Sequence, residues 1–249
     1  MKKLFLKAMA AGAGVILASS AGVRGANLYN DTTTLVNPGY VLNFPNNDLI
    51  GEQIWLGTGA TPMYLTNFSF EYYDPGTSTT WPAGQSTINA DVRLYNNNGA
   101  LVNGYASPGT IFYDSGIFGV PTAYAANNTS SANLIFSLSD LQVPGNFGQA
   151  LPANFVLPSN FTITVAFSGM TGQDAVGLPN FDPPTFGTNY GSYWYNVSGN
   201  WQLLTNSVGP VAFGAQFSGT PTPEPTVLCL GALGGVMLTI MGRRRQRRG

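Results

Sequence analysis

An all-β fold, an antiparallel β-sandwich of jelly-roll type, is the architecture this sequence predicts for residues 27–217. Three observations carry the expectation. Apolar and polar residues alternate at period two along several stretches, which is the pattern of half-buried strands. Clusters of Gly, Pro, Asn and Ser separate those stretches and supply turn chemistry. No segment between them keeps an apolar stripe at helical spacing for three turns, and no repeat at fixed period is present. About ten strands are expected on this pattern.

The first 26 residues stand apart from that body. MKKLFLK is a short basic stretch, and AMAAGAGVILASSAGV after it is small and apolar. That order is the layout of a secretory signal peptide, expected as a helix over 1–26 that is removed on export. Ser19 and Ala21 are small residues at the positions a signal peptidase reads, which puts cleavage after Ala21; Gly25 and Ala26 are the alternatives.

Within the body the strands are read in order. MYLTNFSFEYY places Phe68, Phe70 and Tyr72 on one side. INADVRLY sends Ile88, Ala90, Val92 and Leu94 one way and Asn89, Asp91, Arg93 and Tyr95 the other. FTITVAF groups Phe161, Ile163, Val165 and Phe167, and VAFGAQF groups Val211, Phe213, Ala215 and Phe217. The turn signals between strands are Asp74-Pro75-Gly76, Asn96 to Gly99, Ser107-Pro108-Gly109 and Val197 to Asn200. Residues 218–225, SGTPTPEP, then read as a semi-extended Pro-rich spacer of roughly 20 Å at most.

The end of the chain is a second address. Thr226 to Gly242 is 17 residues without a charge. As a helix it would be about 25 Å long, marginally enough for a bilayer core. It is apolar all round rather than along one stripe, which fits lipid better than a soluble surface. Its glycines are tolerated in a membrane helix. Arg243, Arg244, Arg245, Arg247 and Arg248 follow, a stop-transfer cluster that stays cytoplasmic by the positive-inside rule. A transmembrane helix accounts for the apolar run and the arginines but leaves Pro223, Glu224 and Pro225 unexplained. Two prolines keep that segment extended and open to a protease cleft.

Pro-Glu-Pro, a Gly/Ala/Leu-rich span and a terminal Arg cluster, in that order over 223–248 and behind a signal peptide, resemble the PEP-CTERM sorting signal of exported bacterial proteins. The resemblance implies that secretion machinery delivers the chain to an inner-membrane-anchored intermediate. An exosortase, an integral-membrane cysteine protease, then cuts near Pro223-Glu224-Pro225. The body passes on to the cell surface or extracellular matrix of a Gram-negative bacterium. Thr226 stands where a small residue usually follows the second proline. ADVRLYNNNGALVNGYASPGTIFYDSGIF also resembles a segment of PEP-CTERM proteins of the β-sandwich kind; it bears on the fold and assigns no catalytic residue.

Charge and composition narrow the function of the body. Charged residues are 8% of the chain, yet aromatics are 12%, so there is ample surface to bury and disorder is not expected. Between residues 27 and 223 the one cation is Arg93, against ten acids. That excludes nucleic acid as a partner, which needs a basic footprint. The chain has no His, which removes Ser-His-Asp and Cys-His machinery and His-ligated metals. The one cysteine, Cys229, lies in the apolar tail, so no disulfide forms within the chain.

Three candidate sites remain. Tyr193, Trp194, Tyr195 and Trp201 flank a turn; in a hairpin, Tyr193 and Tyr195 share one face and Trp194 takes the other. Exposed, they would stack on sugar rings; otherwise they bridge strands and fill the core. Trp55 and Trp81 look isolated. Glu52, Glu71 and Asp91 lie in or beside strands, where a facing pair of carboxylates would suit glycoside hydrolysis and scattered ones merely solubilise. A structural calcium, ligated by oxygen alone, has Asp182 with Asn180 or Asp31 with Asn30 as donors, but no Asp-x-Asp-x-Asp-Gly loop is present. The expectation is therefore a structural or adhesive surface protein, not an enzyme and without a cofactor or bound metal. A carbohydrate-binding module acting through Tyr193–Trp201 is the alternative.

Overall fold

Sixteen strands and no helix occur among the described residues of the computed structural model. Those residues are 25–33, 41–43, 47–57, 62–74, 88–120, 132–137, 151–170, 176–205 and 212–222. The expected signal helix, apart from Gly25 and Ala26, and the expected transmembrane helix lie outside them. So do Pro223-Glu224-Pro225 and the terminal arginines.

In chain order the strands are β1 (Ala26–Asn30), β2 (Val41–Asn43), β3 (Leu49–Trp55), β4 (Met63–Asp74), β5 (Asn89–Tyr95) and β6 (Leu101–Val102). Next come β7 (Tyr105–Ala106), β8 (Ile111–Gly119), β9 (Ala132–Ser137), β10 (Val156–Leu157) and β11 (Asn160–Ser168). The last are β12 (Gly177–Phe181), β13 (Thr188–Val197), β14 (Asn200–Leu204), β15 (Ala212–Phe213) and β16 (Ala215–Pro221). Every pairing between them is antiparallel.

Eight strands form one sheet along the path β1-β16-β4-β12-β15, with β9 and β10 also on β4 and β2 on β12. Six form a second sheet in the order β14-β13-β3-β11-β5-β8, and β6–β7 is a small separate hairpin. The expected alternation places the apolar side chains of the strands inside, although β5 and β11 are largely buried on their other face as well. Phe68, Phe70 and Tyr72 of β4 are fully buried, as are Val92 and Leu94 of β5 and Phe161 and Phe167 of β11. These faces meet in one apolar cluster, so the arrangement is sandwich-like. Phe217 of β16 is at its centre: its ring lies 5.1 Å from Phe161 of the opposite sheet, 5.8 Å from Phe68 and 6.5 Å from Tyr29. Phe167 sits 6.5 Å from Phe70 and 6.0 Å from Tyr72, joining the layers a second time.

Turn chemistry closes the β13–β14 hairpin as expected. Ser198 (φ 52°) and Gly199 (φ 89°) are both left-handed, the two-residue geometry that matches strand twist. The structure departs from the sequence reading in two places. There are more strands than the expected ten or so, because two-residue strands such as β10 and β15 are too short to alternate. Strand β3 hides its period for another reason: residues 50–54 are buried on both faces. Moreover, β16 runs to Pro221, taking Ser218 to Pro221 out of the expected spacer. Those residues pair with Asn67 to Met63 of β4, and Thr222 N–H donates to Pro62 C=O at 3.1 Å.

Because Phe217 touches rings from both sheets, truncating it opens a cavity at their junction. Phe217→Ala should lower unfolding stability by about 3–5 kcal/mol, measured as a fall in urea midpoint at unchanged slope. A loss under about 1 kcal/mol would mean the two sheets do not meet at this ring.

Candidate functional site

Strand β3 builds two groups of side chains, one on each of its faces. Its inward residues are Ile50, Glu52 and Ile54, and the sandwich closes over all three. An ionised carboxylate there would be costly without partners, and Glu52 has one on each oxygen. Tyr29 of β1 donates its hydroxyl to Oε1 at 2.7 Å, and the Phe213 N–H of β15 donates to Oε2 at 2.7 Å. Asn189 of β13 extends the network, its Nδ2 donating to Tyr29 Oη and to Asp31 Oδ2, each at 3.2 Å. Asp31 is also buried, and its Oδ1 has no hydrogen-bond partner.

Burial pushes both acids up. Desolvation, then the like charge of Asp31, raises Glu52 to about 8 against the pull of its hydrogen bonds. Desolvation, then the charge of Asp182, raises Asp31 to about 7. The loop from Asp182 returns to β1, where Thr185 N–H donates to Asn30 C=O at 2.8 Å. Glu52 itself is sealed from solvent.

The outer face of the six-stranded sheet is the second group. Cross-strand register sets its rows. Trp55 of β3 lies opposite Asn160. Gln53 lies opposite Thr162, which lies opposite Tyr95. Gly51 has Trp194 on one side and Thr164 on the other, with Arg93 and Asp114 beyond. A Cβ on Gly51 would meet Thr164 Cγ2 at 2.7 Å and Ile163 C=O at 2.8 Å, so only glycine fits. At one end Trp55, Tyr190 and Tyr105 form an aromatic trio, with ring centroids 4.1 Å apart for Trp55–Tyr190 and 4.5 Å for Tyr190–Tyr105. Tyr95 of β5 and Trp201 of β14 meet at 5.6 Å. Since β13, β3 and β11 lie between those two strands, the ring pair closes over the face. On the same face, Trp194 Nε1, Gln53 Oε1 and Asp91 Oδ1 are buried without hydrogen-bond partners. Each such atom costs about 1–3 kcal/mol relative to a satisfied one.

Arg93 is held on this face, its Nη2 2.7 Å from Asp91 Oδ2 and its Nε 3.1 Å from Asp114 Oδ2. Burial raises Asp91 to about 6, with Arg93 opposing.

The aromatic residues singled out from sequence divide as the hairpin reading requires, and the structure shows what each does. Trp194 is fully buried and offers no surface for stacking. Tyr193 packs inward, 6.5 Å from Phe213. Tyr195 also packs against the core and donates its hydroxyl to Asp48. Tyr193, Tyr195 and Trp201 are each half-buried, and of these three only Trp201 is on the outer face. The exposed aromatic surface belongs instead to Trp55, Tyr190 and Tyr105, whose partners are too distant in sequence for local pattern to join; Trp81 lies outside the described residues.

The three strand acids do not converge. Glu52 is in the core, Asp91 is on the outer face of the six-stranded sheet, and Glu71 alternates with Phe70 and Tyr72 away from the core on the other sheet. Among the calcium candidates, Asn180 Oδ1 accepts from Ala212 N–H at 2.8 Å and Asn30 Oδ1 from the Thr32 hydroxyl at 2.8 Å. Among the described residues no three His, Cys, Asp or Glu side chains gather as a metal group. Comparison with family models, with curated proteins and with solved structures returns no match for this chain.

Glu52 and Asp31 have folded-state values above their ordinary ones, so between about pH 4 and 8 the folded chain holds protons the unfolded chain has lost. Stability should therefore be greatest near pH 4 and fall as pH rises to 8, by at most about 1.4 kcal/mol per pH unit for each group. Glu52→Gln, which stays neutral and keeps an amide oxygen for Phe213 N–H, should flatten that slope in urea titrations at a series of pH values. An unchanged slope in Glu52→Gln would refute the assignment.

Proposed function

We propose that this chain is an exported, surface-sorted structural or adhesive protein of a bacterial envelope or exopolysaccharide matrix, with a jelly-roll β-sandwich body and no catalytic role. It passes through secretion machinery, is held in the inner membrane by Thr226 to Gly242, and is cut by an exosortase near Pro223-Glu224-Pro225. One observation carries the reading: an N-terminal signal-like segment, Pro-Glu-Pro, an apolar span and an Arg cluster occur in the order that sorting requires.

The limits of the fold support it. Strand β1 begins at Ala26, beside the last of the expected signal-peptidase sites, and β16 ends at Pro221, just before Pro223. The two strands pair with each other, Ala26 opposite Gly219. Cutting at both addresses therefore removes no strand from either sheet. The body's charge agrees with a role outside a nucleic-acid compartment, as Arg93 is its one cation and two aspartates occupy it.

Expression in a host that carries an exosortase tests this. Intact mass of protein from the cell surface should show both ends removed, near residue 26 and near residue 224. The Pro223→Ala, Glu224→Ala double variant should stay in the membrane fraction, heavier by the tail. Recovery of the uncut chain from the cytosol would end the proposal.

A further inference from the structure

We infer that the Trp55–Tyr190–Tyr105 platform, at one end of the outer face of β3, binds a neutral, hydroxyl-rich polysaccharide that reaches along the strand toward Gln53 and Trp194. The inference deepens the matrix-component reading, on which it rests, by naming the partner of the body and the surface that meets it.

The platform is the accessible end. Tyr190 is 41% exposed and Tyr105 39%, high for rings that touch one another and a tryptophan. Edge contacts hold the three rings in fixed, mutually tilted planes. Rigid aromatic rings with a polar tip present apolar area at low ordering cost, which suits the apolar face of a pyranose ring.

Two residues along β3 from Trp55 on the same face is Gln53, 5% exposed, with Oε1 lacking a partner. Two further on is Gly51, and opposite it in register is Trp194, whose Nε1–H also lacks one. An orphan acceptor on β3 and an orphan donor on the neighbouring β13 thus sit in adjacent cross-strand rows of the same face. Buried polar groups in native proteins are nearly always paired, so two unpaired ones side by side call for an occupant. A hydroxyl answers both, accepting from the indole N–H and donating to the amide oxygen. An apolar partner would answer neither, and an added peptide strand would seek a sheet edge rather than a face. At strand spacing, Trp55 to Gly51 spans about 13 Å, enough for a short run of sugar units. The Tyr95–Trp201 pair covers the Gly51 end and must part for the orphan pair to be engaged.

Charge selects the class of glycan. Arg93 is the one cation of the body, and Asp91 and Asp114 already hold it. A polyanion would meet no free positive charge and would face a body with ten acids. The polymer is therefore neutral.

The full chain in detergent, in about 0.5 M salt to screen the lysines and arginines of its two ends, should be titrated with dextran, mannan and xylan as neutral probes and alginate as the anionic one, by calorimetry and tryptophan fluorescence. Saturable binding to at least one neutral polymer is expected, with alginate silent. Tyr190→Ala and Tyr105→Ala, both at exposed positions, should each weaken binding about tenfold or more at unchanged melting temperature. Gln53→Ala should do the same, and if that variant does not fold the two tyrosine variants still decide the matter. Silence toward all three neutral polymers, a preference for alginate, or indifference to both tyrosine changes would overturn the inference. A chain that is cut and sorted but binds no neutral glycan sinks this inference alone. A chain that binds glycan but is never cut sinks the sorting reading alone.

Discussion

A carboxyl group sealed between two sheets governs how this molecule goes together. Glu52 belongs to the six-stranded sheet, while the donors to its two oxygens, the Tyr29 hydroxyl and the Phe213 N–H, both come from the eight-stranded one. The acid therefore works as a two-pronged dock between layers that apolar contact alone would let slide. Its neighbour Gln53 shows how strict the requirement is. A one-residue slip of β3 would turn Glu52 out and Gln53 in, reversing every side chain on the strand. Hydrogen bonds from fixed backbone and ring positions penalise that slip more sharply than loss of apolar area does, which is the kind of registry role a buried polar group serves best.

The same strand is central in its sheet, flanked by β11 and β13, and so has no free edge. Alternation then distributes its tasks. Inward it offers Ile50, Glu52 and Ile54 to the core; outward it offers Gly51, Gln53 and Trp55. What pins the register inside also sets the spacing of amide, glycine and ring outside. Stability and surface chemistry are coupled here through the backbone of one strand, since any change that shifts Glu52 along its partners shifts Trp55 and Gln53 by the same step.

Sequence and structure agree where one strand face is apolar and the other polar. Residues 63–73 show their burial directly in their spelling, and Val197 to Asn200 shows its turn; in 88–95 the inward Ile88, Ala90, Val92 and Leu94 are legible, but Asp91 and Tyr95 on the expected polar side are buried too. Agreement fails where both faces are covered. In β3 a glutamate, a glutamine and a glycine interrupt the apolar residues, a pattern that locally resembles a loop; only long-range partners make these residues buried. The aromatic trio was hidden for a related reason. Trp55, Tyr105 and Tyr190 are separated by tens of residues, and the fold alone brings them together, while the conspicuous cluster at 193–195 is spent on packing. The expected end of the body at Phe217 fell short because Gly219 and Pro221 spell a linker. Yet Gly219 is required where the strand runs close to Tyr64 C=O, 2.5 Å from where a Cβ would lie. Pro221 closes the strand at its last position, where a missing N–H is tolerated.

The placement of the first and last strands bears on how an exported chain could fold. Strand β1 pairs with β16, and β16 supplies Phe217, the ring that joins the two layers. The core is thus incomplete until the end of the body is available, and closing so long a loop is slow in a fold rich in non-local pairing. For a chain threaded outward from its N-terminus, β16 arrives last, immediately ahead of the uncharged run from Thr226 to Gly242. If that run halts transfer, it does so just as the final core strand reaches the far side, with the body tethered at the membrane while it folds. On the proposed sorting route, the order body, Pro-Glu-Pro, span, arginines then has a physical logic beyond recognition by a protease. Cleavage placed between the last strand and the tether can release the body without disturbing a single pairing of β16.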